Sequence, residues 1–586
     1  MARKLTAQKL TAGHTTTFQG AGAYDYADVQ PLIHLTFTMG SALFTDGFYQ
    51  SEAQQVRRLA DALIEALAVE PRFAWQYGAW MRDAKRGKGN RIQGSLVPAL
   101  LDGLAGESEW TEQYVAKCLS HRPDDVTAFL THYKQLGLGS PSAAARRGVA
   151  RALCSFDEYQ LTKYAQSKAD MRLCDAIAIV RPELRALGDD AALALDVGLY
   201  LHSSTRRRRA LLEAGDVSLP MTRARRELFA KPRGFVTDPA FAPMVAEARV
   251  TWEQLSARFA TSSDGDDVRG QVTRQNRALW RTLLDTPGLL PDMAFLRNLR
   301  NLSQAGVADE HLIRSARQRP FSKVWPHQVW AALQAEPGLR NVLDVIFERS
   351  VERLPPGRHL GIADASGSMS VKVGGQKGSV TAMDVALCLT GLMSETSGLG
   401  ASFSDGTWLR YSQGGYLNLA RRSPTESALS FSQNAKLRQG MGGTQVFGAV
   451  MELIQQLRRD PTLTPPDCLW FFSDMQFHPA SGGADAIPAS LRQEAVNLGL
   501  NLNAPPLEIA LKLYRHAFGH VDVVLWNLAA YSPTPVPLDM EGVLLVSGFD
   551  TNTLTSVARW REGNISRPDA NVIDSQQVIL DEIRRF

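Results

Sequence analysis

His359-Leu360-Gly361-Ile362-Ala363-Asp364-Ala365-Ser366-Gly367-Ser368-Met369 decides how this chain is read. A short apolar run ends on an aspartate, and two serines follow in a tight loop that contains glycine. Apolar runs of this length bounded by turn residues read as buried strands. Two further runs end the same way: Gly400 to Phe403 leads into Ser404-Asp405, and Cys468 to Phe472 into Ser473-Asp474. Val521 to Leu528 and Gly542 to Val546 are also strand-like, while Met383–Met393, Val446–Leu457, Leu507–His516 and Thr551–Trp560 carry helical spacing. Strands alternating with helices predict a mostly parallel, doubly wound α/β sheet of Rossmann-like type, covered on both faces. In such sheets ligands bind at the carboxyl ends of the strands.

Those strand ends collect oxygen atoms. Asp364, Ser366 and Ser368 form a D-x-S-x-S loop, Gly442-Gly443-Thr444 follows Met441 and opens a helix, and Asp474 ends the Cys468–Phe472 run. Hard cations such as Mg²⁺ take oxygen ligands in octahedral geometry. The expected ligand set is Asp364, Ser366, Ser368, Thr444 and Asp474, holding a divalent cation. With mostly neutral direct ligands the ion stays electrophilic and can accept an anionic oxygen from a partner. Each piece has a plainer reading alone, since Gly-Gly-Thr can be a helix N-cap and a strand-terminal Asp an ordinary turn residue. Their order and spacing together carry the argument.

Upstream the pattern is helix after helix. Ser51 to Ala68 sets Ala53, Val56, Leu59, Ala60, Leu63 and Leu67 on one stripe, and Arg72–Asp83, Ile92–Leu104, Trp110–Leu119, Asp125–Tyr133 and Ser142–Leu153 follow. Short connections and no fixed repeat period predict an irregular solenoid of helical pairs. Trp75, Tyr77 and Trp80 fall at helical spacing and are expected in the core. Thr261 to Asp267 reads as an exposed acidic loop, and Leu354-Pro355-Pro356-Gly357 as the boundary. The expected domains are therefore residues 1–354 and 355–586.

At 586 residues, the chain exceeds one compact core, and 44% hydrophobic with 21% charged residues excludes wholesale disorder. No stretch of eighteen uncharged apolar residues suggests a membrane span, and Met1 to Gly20 lacks the apolar core of a secretory signal, so a cytoplasmic location is expected. Cys118, Cys154, Cys174, Cys388 and Cys468 are scattered and unpaired in sequence, as small buried hydrophobes rather than a disulfide or zinc framework.

Charge is uneven. Residues 1–350 carry 45 basic and 38 acidic side chains, and residues 351–586 carry 19 and 22. The first part could therefore face a polyanion. Its basic clusters are Lys85, Arg86, Lys88 and Arg91; Arg146 and Arg147 with Arg151; the run Arg206, Arg207, Arg208, Arg209; Arg223 to Arg233; and Arg314, Arg317 and Arg319. Cations near phosphate release counterions, and arginine also stacks on splayed bases.

The strand-end loops resemble the metal-ion-dependent adhesion site of von Willebrand factor A domains. The resemblance implies Ser366, Ser368 and Thr444 as direct ligands, with Asp364 and Asp474 acting directly or through water. The whole chain resembles the Ro autoantigen family, whose helical TROVE module precedes an A domain. The matching segments keep their order: Gly20-Ala21-Gly22-Ala23-Tyr24, Leu32 to Tyr49, Leu161-Thr162-Lys163-Tyr164, Phe295-Leu296-Arg297-Asn298-Leu299, Trp325-Pro326-His327-Gln328-Val329, Ser402-Phe403-Ser404-Asp405 and Gly548-Phe549-Asp550-Thr551. The resemblance implies a ring of HEAT-like helical repeats closed by the A domain, and a scaffold for RNA quality control. Such a scaffold binds small Y-like noncoding RNA and misfolded structured RNAs with single-stranded ends. Lys163 matches a basic RNA-contact position, whereas Ser167, with Lys168 adjacent as the substitute cation, and Ile179 stand where the family has a basic residue and a histidine.

Two other classes compete. No G-x-S-x-G, HExxH or G-x-x-x-x-G-K-[ST] occurs, so an enzyme is not expected. A metal-dependent protein-binding adaptor without RNA is the alternative, and through the metal site the partner could be an RNA-processing nuclease or another protein. A monomer without a membrane partner is expected.

Overall fold

Nearly every strand of the second half is buried along its whole length, which requires cover on both faces of the sheet. The computed structural model describes residues 13–17, 21–25, 30–42, 51–163, 170–260, 269–322, 324–352, 354–373, 380–404, 416–439, 442–478, 489–501, 504–529, 534–537, 539–550, 552–564 and 570–586. Its strands are β1 (Gly13–Thr16), β2 (Gly22–Asp25), β3 (His359–Asp364), β4 (Leu399–Phe403), β5 (Leu417–Arg421), β6 (Cys468–Ser473), β7 (Asp522–Asn527) and β8 (Val543–Ser547). Lys168, Ser167, the loop Thr261–Asp267, Asp405, Met441 and Thr551 lie outside the described residues.

The main sheet runs in the order β5-β4-β3-β6-β7-β8. All its pairings are parallel except the β4–β5 edge. Every residue of β3, β4, β6, β7 and β8 is buried. This is the apolar, two-sided burial of a parallel sheet under helices. Within it Trp470 stacks on Phe472 and packs against Trp526, with ring centroids 6.3 Å apart in both cases. Large side chains of this kind each contribute about 1.5–3 kcal/mol on burial. The order turns back between β3 and β6. The chain leaves β3 toward β4 on one side and β6 toward β7 on the other, which opens a crevice at their carboxyl ends.

The chain divides into two compact units, one of residues 74–324, 335–346 and 586, the other of residues 1–73, 325–334 and 347–585. The first is helical throughout its described residues. Thr111–Leu119 packs on Ala143–Cys154, and Arg91–Ala105 on Pro123–Leu136, so each helix meets the next but one, as in helical repeats. Buried polar links fix these layers. Arg82 donates to Asp125 at 2.5 and 2.9 Å, both side chains nearly inaccessible. Asp102 accepts from the Tyr133 hydroxyl and from Ser142. The buried Glu158 takes the N–H groups of Met221 and Thr222, where its charge also complements the N-terminus of the helix Pro220–Ala230. Trp75, Tyr77 and Trp80 are core residues, all at most 2% exposed.

The second unit holds the sheet together with the chain's first 73 residues, which local periodicity had assigned to the helical part. Strands β1 and β2 form an antiparallel hairpin, too short to register as alternation in the sequence. Its Tyr24 exchanges backbone hydrogen bonds with Thr534 at 3.0 and 2.9 Å. Ser547, at the end of β8, donates to the Thr36 carbonyl 511 residues away at 2.7 Å. Asn527, at the end of β7, reaches the Phe37 carbonyl. These carbonyls satisfy polar groups at strand ends, a pairing that no reading of neighbours in sequence can see.

All five cysteines are free, four of them buried. Among the described residues no helix is long and apolar enough to cross a membrane.

Candidate cation site and basic surfaces

The crevice between β3 and β6 receives all five oxygen-bearing residues singled out in the sequence. Asp364 ends β3, Ser366 caps the short turn Gly367–Ser370, Thr444 precedes the helix Val446–Arg459, and Asp474 follows β6. None of Asp364, Ser366, Ser368, Thr444 or Asp474 is more than 3% exposed. The Ser366 and Ser368 hydroxyl oxygens lie 3.2 Å apart. The Gly367 N–H donates to the Gly442 carbonyl at 3.1 Å, joining the serine loop to the glycine loop. The Asp474 carboxyl accepts the Gln476 N–H at 3.1 Å.

The electrostatics are those of a site short of positive charge. Burial pushes the Asp364 carboxyl well above its ordinary range, and the neighbouring Asp474 carboxylate pushes it further. Burial raises Asp474 as well, against the opposing pull of its Gln476 hydrogen bond. Two oxygens carry the fit test. Thr444 Oγ1 and Asp474 Oδ2 are buried with no hydrogen-bond partner among the described residues. Orphaned acceptors of this kind are rare in folded proteins, because each forfeits its hydration without return. A hydroxyl and a carboxylate oxygen left over beside two serine hydroxyls suit a hard cation. Among the described residues no group of three or more His, Cys, Asp or Glu is placed to hold a metal, so the candidate set depends on its hydroxyls.

Several residues that support the loops were not singled out in the sequence. Ser473 Oγ donates to Asp364 Oδ2 at 2.5 Å and accepts the Met475 N–H at 2.9 Å. Ser404 Oγ accepts the Gly442 N–H at 3.2 Å and donates to the Gly443 carbonyl at 3.3 Å. Both serines stand at strand ends beside an aspartate, which was the one available signal. Met475 holds a left-handed backbone, φ 60°, directly after Asp474. Such conformations cost energy and concentrate at functional sites. The His478 imidazole lies over Gly443, where a Cβ would fall 1.9 Å from its Cε1. Any side chain there would displace the His478 ring.

The basic clusters fare differently. Arg86 lies 3.6 Å from Asp83. Lys88 is buried, its ammonium 5.0 Å from the Trp80 ring. Arg91 pairs with Asp124 at 2.5 Å, Arg146 with Glu183 at 2.7 Å and Arg147 with Glu112 at 2.7 Å. Arg208 donates to the carbonyls of Tyr200 and Leu201 at a helix end, and Arg209 pairs with Glu213. Arg225 is buried and bonded to the Ala248 and Arg249 carbonyls. Lys163 sits half-buried with its ammonium 5.5 Å from the Tyr159 ring. The exposed side chains of Lys85, Arg206 and Arg207 make no ion pair or hydrogen bond among the described residues. Much of the positive charge that looks available in the sequence is thus neutralised by acids from neighbouring helices.

A family model described as a domain of unknown function, DUF7788, matches residues 358–578, the sheet with its candidate site. No curated protein matches the chain. Among solved structures, the crystal structure of the Deinococcus radiodurans Ro (RSR) protein is similar at 18% identity and a TM-score of 0.50, over 90% of this chain and 99% of that one. The likeness is one of fold, a helical part followed by an α/β sheet, and it extends over nearly the whole of both chains.

Proposed function

We propose that this chain is a Ro-type RNA-binding scaffold, acting on small structured noncoding RNA and on misfolded RNAs with single-stranded ends. One observation carries the reading. The fold likeness to the Ro protein covers 90% of this chain and 99% of that one, so helical part and sheet are matched together rather than one module alone. The exposed Lys85, Arg206 and Arg207, whose side chains have no ion-pair partner among the described residues, supply cations for phosphate contacts. Under this reading the protein works as a cytoplasmic monomer without a catalytic centre.

The sheet contributes a second binding function. Asp364, Ser366, Ser368, Thr444 and Asp474 would hold a divalent cation, Mg²⁺, and the two orphaned oxygens support that assignment. Bound there, the ion supplies an electrophilic centre for an anionic group of a partner such as an RNA-processing nuclease. The metal-dependent adaptor without RNA is the second reading. It is favoured by the internal pairing of Arg91, Arg146, Arg147 and Arg209.

Fluorescence anisotropy with a labelled hairpin RNA separates the two. The RNA reading expects binding that strengthens when a single-stranded 3′ tail is added and weakens with salt. Equal, weak binding of tailed and blunt hairpins at moderate salt would leave the adaptor.

A further inference from the structure

We infer that Thr17 is a positioning residue for the candidate cation ligand Thr444, through one shared peptide group; the inference rests on the cation reading above. Thr17 lies just after β1 and is 5% exposed. Its hydroxyl donates to the Phe477 carbonyl at 2.7 Å, 460 residues away. The same hydroxyl accepts the Ala21 N–H at 3.1 Å, and the Thr17 N–H donates to the Ala21 carbonyl at 2.9 Å. Thr17 is therefore closed onto the turn between β1 and β2, and its hydroxyl hydrogen is committed to Phe477.

The Phe477 carbonyl and the His478 N–H belong to one planar peptide group. The His478 N–H donates to the Thr444 carbonyl at 2.9 Å. One rigid plane is thus held from both sides, by Thr17 at its oxygen and by Thr444 at its nitrogen. Hydrogen bonds on the two ends of an amide polarise one another. The plane also carries the His478 side chain, whose ring covers Gly443, the neighbour of Thr444. Tilting the plane would move the Thr444 main chain and the ring over Gly443 together. The side-chain oxygen of Thr444 is one of the two orphaned acceptors of the site. The hairpin is itself pinned by the Tyr24–Thr534 backbone pair and by the Tyr24 hydroxyl, which donates to Glu508 at 2.9 Å. Thr17 therefore has a fixed base from which to orient the loop.

The test compares Thr17→Val, which keeps the shape and removes the hydroxyl, with Thr17→Ser, which keeps the hydroxyl. Mn²⁺ binding to the full chain is followed by electron paramagnetic resonance, and Mg²⁺ binding by titration calorimetry. Outer-shell partners of metal ligands are worth about 10–100-fold in affinity, and for a neutral ligand the lower end applies, about tenfold for Thr17→Val and within about twofold for Thr17→Ser. Melting in EDTA is recorded for each variant. A purely structural role would lower the melting temperature of Thr17→Val while leaving the ion affinity of the folded protein unchanged, and that result overturns the inference. Wild-type affinity in Thr17→Val with unchanged melting overturns it too. If the wild-type chain binds neither ion at millimolar concentration, the cation reading itself fails, an outcome distinct from both.

Discussion

Replacing Asp474 by Asn should stabilise the protein without cation and remove its response to cation. Asp474 is fully buried, its Oδ2 lacks a partner among the described residues, and it sits beside Asp364. Burial holds its carboxyl pKa well above the ordinary value. A carboxyl whose folded-state pKa is raised binds its proton more tightly when folded. The associated stability is present at low pH and is lost as pH rises through the folded pKa. Each tenfold gain in proton affinity corresponds to about 1.4 kcal/mol, so keeping this charge buried above its raised pKa costs stability. An asparagine carries no charge, and its carbonyl can still accept the Gln476 N–H that Asp474 Oδ1 accepts at 3.1 Å. In EDTA at pH 8 the variant should therefore melt several degrees above wild type, since each kcal/mol moves a large domain by about 2–4 °C. In Mg²⁺ the gap should narrow sharply. Wild type gains about 2.7 kcal/mol at a hundredfold excess over its dissociation constant, and the variant gains nothing. Differential scanning calorimetry with and without Mg²⁺ reads both effects. A variant that melts below wild type in EDTA and keeps its Mg²⁺ response would refute the reasoning.

Three further outcomes follow from the same geometry. The rise in melting temperature caused by Mg²⁺ should be larger at pH 8 than at pH 5, because protons compete for Asp364 and Asp474, whose affinity for them is raised; equal rises would contradict this. Gly443→Ala should weaken Mn²⁺ binding measured by electron paramagnetic resonance, since its Cβ would fall 1.9 Å from the His478 ring and displace it; unchanged affinity would show that the glycine loop is not part of the site. Arg206→Ala with Arg207→Ala should lower RNA affinity and reduce the slope of log affinity against log salt by about 1.4, at about 0.7 per single-strand contact. Arg91→Ala, whose guanidinium is already held by Asp124 at 2.5 Å, should change that slope little in the same titration.

The fold was legible where local pattern and burial coincide. β3, β4, β6, β7 and β8 lie within a residue of the apolar runs that announced them, because strands buried on both faces need no alternation to be seen. β5, Leu417–Arg421, was not read, as an edge strand of mixed Leu, Asn and Arg lacks that signal. Nor was the β1–β2 hairpin, whose four-residue strands are held by partners more than 450 residues away. The meeting of the five candidate residues in one crevice was legible for a related reason. Asp364, Ser366 and Ser368 are fixed by one loop, and Thr444 and Asp474 each mark an element end that sequence alone can place. Ser473, Ser404, His478 and Thr17 act across loops, and only the fold brings them there. The basic clusters were the least legible. Arg91, Arg146 and Arg147 looked available because Asp124, Glu183 and Glu112 stand about 30 to 40 residues away along the chain. A charge run records its own sign and not its partner's.

RNA binding in the cell is the property proposed for this chain. The most direct measurement is ultraviolet crosslinking of the full chain in its own cells, followed by sequencing of the RNA that co-purifies at moderate salt, with the Arg206→Ala, Arg207→Ala variant alongside. The account predicts enrichment of a small structured RNA, or of RNAs with single-stranded 3′ tails, and its loss in the variant. RNA at background level in the wild-type chain would contradict the account and leave the cation-dependent adaptor.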